Sequence, residues 1–395
     1  MSNLELVSNG FLLLAAVGLL VQLVIATMLI LHRRRPVPVA TSRPGISILK
    51  PLAGVDDDLE DNLASFAALE YDGPWELLLG VHDTQDPAWP IAQAAARRWP
   101  DRFRLRVQED EPGLNPKVNQ LITLERHAVH EVLVVSDSNV RIHPGYLEEI
   151  AACITQPEVS CVTHPVIGVG EESLGSIMDN THLCTSVAAG QVSAMEASGK
   201  PLVVGKSMAF WREDLVALGG FAAVKDCLAE DFVFGWRVRF ELKKRVVMGR
   251  TPVAGYSRRK SVADFRRRYE RWGVVHRTSI SLATSLSQGL LQPWSFAALA
   301  LLVHPSQRTG LALLTVVGFK LCMDLFFLHY FRPTPITLKL LGALVLKDVI
   351  VQWCWFRGFF VRTVTWRGNR LRVGMHSQLL PPETSPGITS GATLP

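Results

Sequence analysis

Three aspartates stand where apolar runs meet polar turns. Asp83 follows the run Trp75–Val81, Asp137 follows Glu131–Val135 in the segment Ser136-Asp137-Ser138-Asn139, and Asp231, in Ala229-Glu230-Asp231, opens the run Phe232–Trp236. A carboxylate just beyond a buried strand binds a ligand or caps the helix that follows. Asp83 and Asp137 would share one sheet edge, and two carboxylates there point to a ligand site. Asp231 stands at an expected helix start, where capping is again the alternative. A second concentration of chemistry is the segment from Ser257 to Trp272, which holds Arg258, Arg259, Lys260, Arg266, Arg267, Arg268 and Arg271. At helical spacing Arg268, Arg271 and Trp272 share a face, and guanidinium forks match phosphates bidentately. This density suits a polyanion. A basic patch attracted to anionic lipid is the other reading, and the two are compatible.

The elements that must hold these residues are legible in the hydrophobic pattern. Strands are expected at Ile46–Leu49, Trp75–Val81, Phe103–Val107 and Glu131–Val135. Helices are expected at Leu59–Leu69, Ala88–Arg98, Lys117–His127 and Gly145–Ile154. Strands that alternate with helices build a mostly parallel α/β sheet, with ligands beyond the carboxyl ends of its strands. No Gly-rich dinucleotide fingerprint follows a strand, and neither a P-loop nor a Gly-x-Ser-x-Gly elbow occurs.

Phe11 to Leu31 is an unbroken apolar run, long enough for the roughly 30 Å hydrocarbon core of a bilayer. His32-Arg33-Arg34-Arg35 follows it and no Lys or Arg precedes it. The positive-inside rule therefore places the N-terminus outside and the rest of the chain in the cytosol. With no basic start and no small-residue cleavage site, the run reads as an anchor rather than a signal peptide. Apolar character returns at Leu290–Val303, interrupted by Pro293, and at Thr309–Tyr330. The basic tail Arg362–Arg372 should be cytosolic, which requires an even number of later crossings, most simply a hairpin. Ile336–Phe360 carries Lys339, Lys347, Asp348 and Arg357. It is expected to lie in or re-enter the interface, or else to turn a Lys347–Asp348 pair toward a polar cavity.

In order along the chain, the motifs are Ile48-Leu-Lys-Pro-Leu-Ala-Gly-Val-Asp56, Val81-His-Asp-Thr-Gln-Asp-Pro87, Asn115-Pro-Lys-Val-Asn-Gln-Leu121, Asp137-Ser-Asn-Val-Arg141, Ala229-Glu-Asp231 and Arg268-Tyr-Glu-Arg-Trp272. Any one is weak, but the ordered set over residues 10–275 resembles family 2-type glycosyltransferases of the GT-A fold. It most resembles the ceramide glucosyltransferases. The resemblance implies that Asp83 holds the uridine of a UDP-sugar, that Lys117 and Asn119 lie near the nucleotide, and that Asp137 holds a divalent cation, Mg2+ or Mn2+, bridging the diphosphate. It makes Asp231 the catalytic base and closes Arg268, Arg271 and Trp272 over diphosphate and acceptor. His182, in Asn180-Thr-His182, aligns loosely with a family histidine. Asn139 stands where the wider pattern has a second acid. Ceramide glucosyltransferases also lack an acid there, and Mg2+ needs few protein ligands because it keeps waters and phosphate oxygens.

The implied activity is inverting transfer of a sugar, glucose, to the hydroxyl of a membrane lipid. The rival lipid enzyme is a hopanoid-type N-acetylglucosaminyltransferase. A processive polysaccharide synthase would need more membrane helices, and a non-catalytic tethered binder would not need all three aspartates together with the arginines. Composition fits this division of labour. Of 395 residues 48% are hydrophobic and only 19% charged, below the roughly 25% of soluble domains. The net charge of +5 does not suggest nucleic acid. The six cysteines show no metal spacing and read as free thiols in a reducing compartment. The expected organisation is an anchor (1–35), a cytosolic α/β domain (36–280), membrane helices with an interfacial segment (281–375) and a disordered tail (376–395). The catalytic domain is expected on the cytoplasmic face, of a bacterial cell membrane rather than the Golgi.

Overall fold

The chain opens with a long apolar helix. In the computed structural model, which describes residues 2–366 and 369–381, α1 (Asn3–Arg34) starts from a capping box between Ser2 and Glu5. An alternating segment follows: β1 (Ile46–Pro51), α2 (Leu59–Ala67), β2 (Trp75–Val81), α3 (Trp89–Arg98), β3 (Phe103–Val107), α4 (Pro116–His127) and β4 (Val132–Val135). Every residue of β1, β2 and β4 is buried, which is why these strands read as mostly apolar runs rather than as alternation. The next elements are β5 (Val140–Arg141), α5 (Tyr146–Ile154), β6 (Val159–Thr163), β7 (Val166–Val169), α6 (Leu174–His182), α7 (Ala189–Ser198), β8 (Met208–Trp211), α8 (Arg212–Ala217), α9 (Glu230–Phe240), β9 (Arg245–Met248) and β10 (Val253–Tyr256).

The main sheet is seven-stranded, in the order β3-β2-β1-β4-β8-β6-β9. β1 pairs in parallel with both β2 and β4, while β8 runs antiparallel between β4 and β6. Alternate residues feed two cores. Ile48, Leu77 and Val134 pack with Phe66 and Tyr146 on one face, and Leu49, Leu78 and Val135 pack with Leu121 and Phe234 on the other. A smaller sheet, β5-β10-β7, lies beyond the carboxyl end of β4.

The C-terminal part comprises α10 (Val262–Ser279), α11 (Leu282–Ser287), α12 (Pro293–Val303), α13 (Gln307–Phe331) and α14 (Leu338–Arg357), then β11 (Thr363–Trp366), β12 (Asn369–Val373) and β13 (Leu379–Leu380). α1 and α13 are long and apolar enough to cross a membrane. Leu282–Leu291 and Pro293–Val303 form a pair bent by 82°. Gln22 donates to the Leu291 carbonyl at 3.0 Å and Ser8 to the Ala300 carbonyl at 3.0 Å, so α12 runs antiparallel along α1. The most polar residue of the α1 run thus satisfies a carbonyl at the proline break. Tyr330 donates to the Leu29 carbonyl at 2.7 Å, and α13 returns alongside α1.

In Ile336–Phe360 the Lys347–Asp348 pair faces two further charges. Lys347 and Asp348 are buried and close a ring with Lys320 and Asp324 of α13. The Lys320–Asp324, Asp324–Lys347, Lys347–Asp348 and Asp348–Lys320 separations are 2.6, 3.1, 2.6 and 3.2 Å. The tail does not begin at residue 376 as an unstructured segment. Leu379–Leu380 pairs with β12, and the Leu379 N–H donates to the Asp226 carbonyl at 2.6 Å. The remainder of the expected tail, 382–395, lies outside the described residues. All six cysteines are free.

Candidate active site

The turn after β4 is held from beneath by a buried lysine. Lys50, at the end of β1, is wholly buried, and its ammonium donates to the Asp137 carbonyl at 2.6 Å and lies 4.3 Å from the centre of the Phe66 ring. Burial lowers its pKa to about 7. With the turn fixed, the Asp137 carboxylate faces out of the sheet edge. Its Oδ1 lies 2.9 Å from Lys117 Nζ and its Oδ2 3.4 Å from Lys206 Nζ. Lys206 also donates to the side-chain oxygen of Asn139. Burial works to raise the Asp137 pKa, but Lys117 and Lys206 together hold it well below the usual carboxylate range.

Lys117 links this carboxylate to α9. The side chain of Asn115 caps α4 by accepting from the backbone N–H groups of Lys117 and Val118, with Pro116 at the first helical position. This points Lys117 across to Glu230, whose Oε1 is 2.9 Å from Nζ, and to the Gly205 carbonyl at 3.2 Å. Asp231 is one residue further along α9 and does not cap it; Ala229 holds that position. Its Oδ2 accepts from the Gly205 N–H at 2.7 Å and its Oδ1 from the Phe232 N–H at 2.8 Å. Burial, then the neighbouring charge of Glu230, raises its pKa to about 6 against the opposing pull of Lys117. The approach at Gly205 is close: a Cβ there would lie 2.8 Å from Lys117 Nζ and 3.2 Å from Asp231 Oδ2, so a side chain would displace the lysine head. The C-terminal sheet stabilises the approach to α9, because the Leu228 N–H donates to the Ser377 carbonyl at 2.8 Å and the Ala229 N–H to the Ser377 hydroxyl at 3.2 Å.

A third wall comes from α6 and α10. Asp179 is wholly buried and faces Lys260 at 2.7 Å and Arg268 at 2.8 Å. The Arg268 guanidinium lies 5.2 Å from the centre of the Trp272 ring, an i,i+4 pair on α10. It is close enough to Asp137 and Lys206 for their charges to interact. Arg271 is half-buried on the same helix.

Asp137, Asn139, Lys117 and Asp231 are therefore brought together, with Arg268 and Trp272 beside them. Asp83 stands apart. It is half-exposed after β2, and its Oδ2 is bonded to His82 Nδ1 at 2.8 Å while Oδ1 accepts from the Gln85 N–H at 2.7 Å. These hydrogen bonds hold its pKa below the ordinary value. Asn119 is turned away and spends its amide on both backbone groups of Gly113. His182 is buried beneath α10 with its ring 4.4 Å from that of Tyr269, and burial lowers its pKa to about 3, so it stays neutral.

Sequence reasoning missed Lys50, Lys206, Asp179 and the pairing of Glu230 with Lys117. The signals were present but weak. Lys50 is a charge at the end of an otherwise apolar strand, Lys206 sits in the Gly205-Lys206-Ser207 turn before β8, and Asp179 lies one helical turn before His182.

The arrangement is a cationic cleft around one carboxylate, beside a second carboxylate whose pKa is raised, at the carboxyl edge of a mostly parallel sheet. A similar fold is found in a mannosyltransferase from Pyrobaculum calidifontis solved in complex with GDP-Man and Mn2+. It is 18% identical, with a TM-score of 0.55 over 89% of this chain and 99% of that one. The fold is GT-A. Among curated proteins, ceramide glucosyltransferase 3 of Caenorhabditis elegans is 24% identical over 87% of this chain and 76% of its own length. Ceramide glucosyltransferase 1 of the same organism is 27% identical over 51% of this chain and 43% of its own length, and the ceramide glucosyltransferase of Komagataella phaffii is 27% identical over 46% and 40%. The model of glycosyl transferase family 21 matches residues 10–379, nearly the whole described chain, and the protein belongs to that family of glycosyltransferases.

Proposed function

We propose that this chain transfers glucose from a UDP-sugar to the hydroxyl of a ceramide-type membrane lipid, with inversion at the anomeric carbon. The observation that carries this reading is the Asp231 carboxylate. It is half-buried, oriented by two backbone N–H groups, raised to about 6, and adjacent to the Asp137–Lys117 pair. A general base works best with a pKa near the operating pH, and a lipid hydroxyl must lose its proton as it attacks. Direct attack opposite the diphosphate inverts the centre, so an α-linked donor gives a β-glycoside.

In this reading Asp83 holds the uridine. Lys117 and Lys206 draw in the diphosphate, and Arg268, Arg271 and Trp272 close over it. Fixed cations aimed at the leaving group stabilise the charge it gains in the transition state. Asn119 acts at one remove, by pinning Gly113 in the loop ahead of α4. His182, kept neutral, supports Tyr269 under α10. Lys206 bridges the oxygens of Asp137 and Asn139, so the two already converge on one cation and suit a divalent ion, Mg2+ or Mn2+. Such an ion, when bound, offsets charge on the diphosphate. The acceptor reading rests on architecture and on the relatives. The cleft is joined to α1 and α13, so a lipid could present its hydroxyl without leaving the bilayer. The basic residues after α1 favour the cytoplasmic face for the catalytic body.

The test is a transfer assay on membranes containing the full chain, crossing UDP-glucose and UDP-N-acetylglucosamine with ceramide and hopanoid acceptors. A β-glucosylated ceramide supports the reading. Product with another sugar or lipid keeps the chemistry and replaces the substrate. No product under any pairing, from folded protein supplied with metal, overturns the reading in favour of a non-catalytic binder.

A further inference from the structure

A cavity of about 310 Å³ opens at the foot of α1, beside the outer strand β9, and no residue of the proposed sugar-transfer site lines it. Its charged lining is His32, Arg35, Arg245, Arg250, Glu149 and Glu196. The two acids are already satisfied. Glu196 binds His32 Nδ1 at 2.9 Å and also Arg35. Glu149 accepts the backbone N–H groups of Arg250 and Thr251, with His143 at 3.7 Å.

The bases are less committed. Arg245 makes one side-chain hydrogen bond, to the Pro157 carbonyl at 3.2 Å, and Arg250 makes one, to the Arg33 carbonyl. Most of their N–H groups therefore remain available for an anion. His32 is only 7% exposed, and its Nε2 is buried with no partner. With Nδ1 engaged by Glu196, the buried Nε2 is left to find a hydrogen-bond partner in the cavity. Val37, Met195 and Met248 supply an apolar wall. An anion, a hydroxyl and an apolar stem together satisfy this lining.

The position of the cavity identifies the source of such a ligand. α1 ends at Arg34 and α13 at Phe331, and the Tyr330–Leu29 hydrogen bond together with the stacking of Arg33 over Tyr330 brings these two ends level. Both helices are long and apolar enough to span a bilayer, so their shared end lies at the depth of lipid headgroups. We propose that the cavity holds the headgroup of an anionic phospholipid, with its phosphate between Arg245 and Arg250 and a headgroup hydroxyl hydrogen-bonded to His32 Nε2. This site is separate from the proposed chemistry and does not depend on the sugar or the acceptor.

The test is lipid binding by the purified full chain in detergent, with phosphatidylglycerol, phosphatidylcholine and inorganic phosphate as probes. Phosphatidylglycerol is expected to bind in preference to the other two. Arg245→Ala combined with Arg250→Ala should weaken it by about fivefold for each arginine removed. Arg34→Ala removes one positive charge at the end of α1 without lining the cavity and should leave binding unchanged. A loss from Arg34→Ala of about fivefold, equal to that for each cavity arginine, would mean diffuse surface attraction and overturn the site. Inorganic phosphate binding as tightly as the lipid would overturn the lipid assignment. Should the double variant not fold, photoactivatable phosphatidylglycerol on the parent chain reads the same question. Labelling within 32–38 and 245–250 supports the site, and labelling elsewhere alone overturns it.

Discussion

The Arg268 guanidinium is held against the Asp179 carboxylate, with one nitrogen 2.8 and 3.1 Å from its two oxygens, and Asp179 has no exposure to solvent. The arginine expected to close over the diphosphate is thus aimed by an acid on another helix. The same acid also holds Lys260 and accepts from the Tyr269 hydroxyl at 3.2 Å. Without it, two cations would face each other in a buried seam.

Asp179→Asn keeps the shape and removes that charge. Breaking a buried ion pair by neutralising one partner costs about 3–5 kcal/mol. The variant should melt at a distinctly lower temperature and lose transfer activity. An unchanged melting temperature in detergent would show that the pair contributes little.

Asp231→Asn should fold normally and lose on the order of 10²–10⁴ in rate, the usual contribution of a general base. Normal turnover by this variant would sink the assignment of Asp231 as the base.

The base acts in its ionised form, so kcat/KM should rise with pH through about 6 and level off above it. Glu230 raises the Asp231 pKa and also occupies Lys117. Glu230→Gln should therefore move the rising limb to lower pH. A pH–rate profile of both proteins checks the direction, and a limb that stays in place would remove Glu230 as a cause.

Chelation of divalent ions should lower transfer at least tenfold, since a bound ion supplies several kcal/mol of charge stabilisation. Mg2+ or Mn2+ should restore the parent but not Asp137→Ala. Full activity in chelator would assign the neutralising charge to Lys117 and Lys206 instead.

The ring of Lys320, Asp324, Lys347 and Asp348 predicts a non-additive pair. Lys347→Met alone leaves one lysine against two buried acids and should cost about 3–5 kcal/mol, whereas Lys347→Met with Asp348→Leu restores neutrality and should cost much less. Thermal unfolding of the single and double variants measures the difference.

The elements from β1 to β4, and α5 after them, were readable because most of these strands are near-continuous apolar runs and each helix has its own period, whereas the two-residue β5 was not. Asp137 was legible for the same reason, since a carboxylate at the end of such a run interrupts a strong local pattern, and Asp231 because it opens the run that becomes the start of α9. Gln22 is the most polar side chain of the run Phe11–Leu31, yet its partner, the Leu291 carbonyl, lies far away in sequence.

The partners were not legible, because they depend on long-range approach. Lys50 and Lys206 meet Asp137 only because β1 lies beside β4 and β8 pairs with it on the other side. Asp179 meets Arg268 only because α10 packs across α6. The four charges in α13 and α14 look costly along the chain and become a neutral ring once the helices touch. Residue types and their local spacing thus determined the fold class and the chemistry on offer. Tertiary packing alone decided which charge faces which, because charge pairing acts through distance in space, and the protein separates these partners widely in sequence.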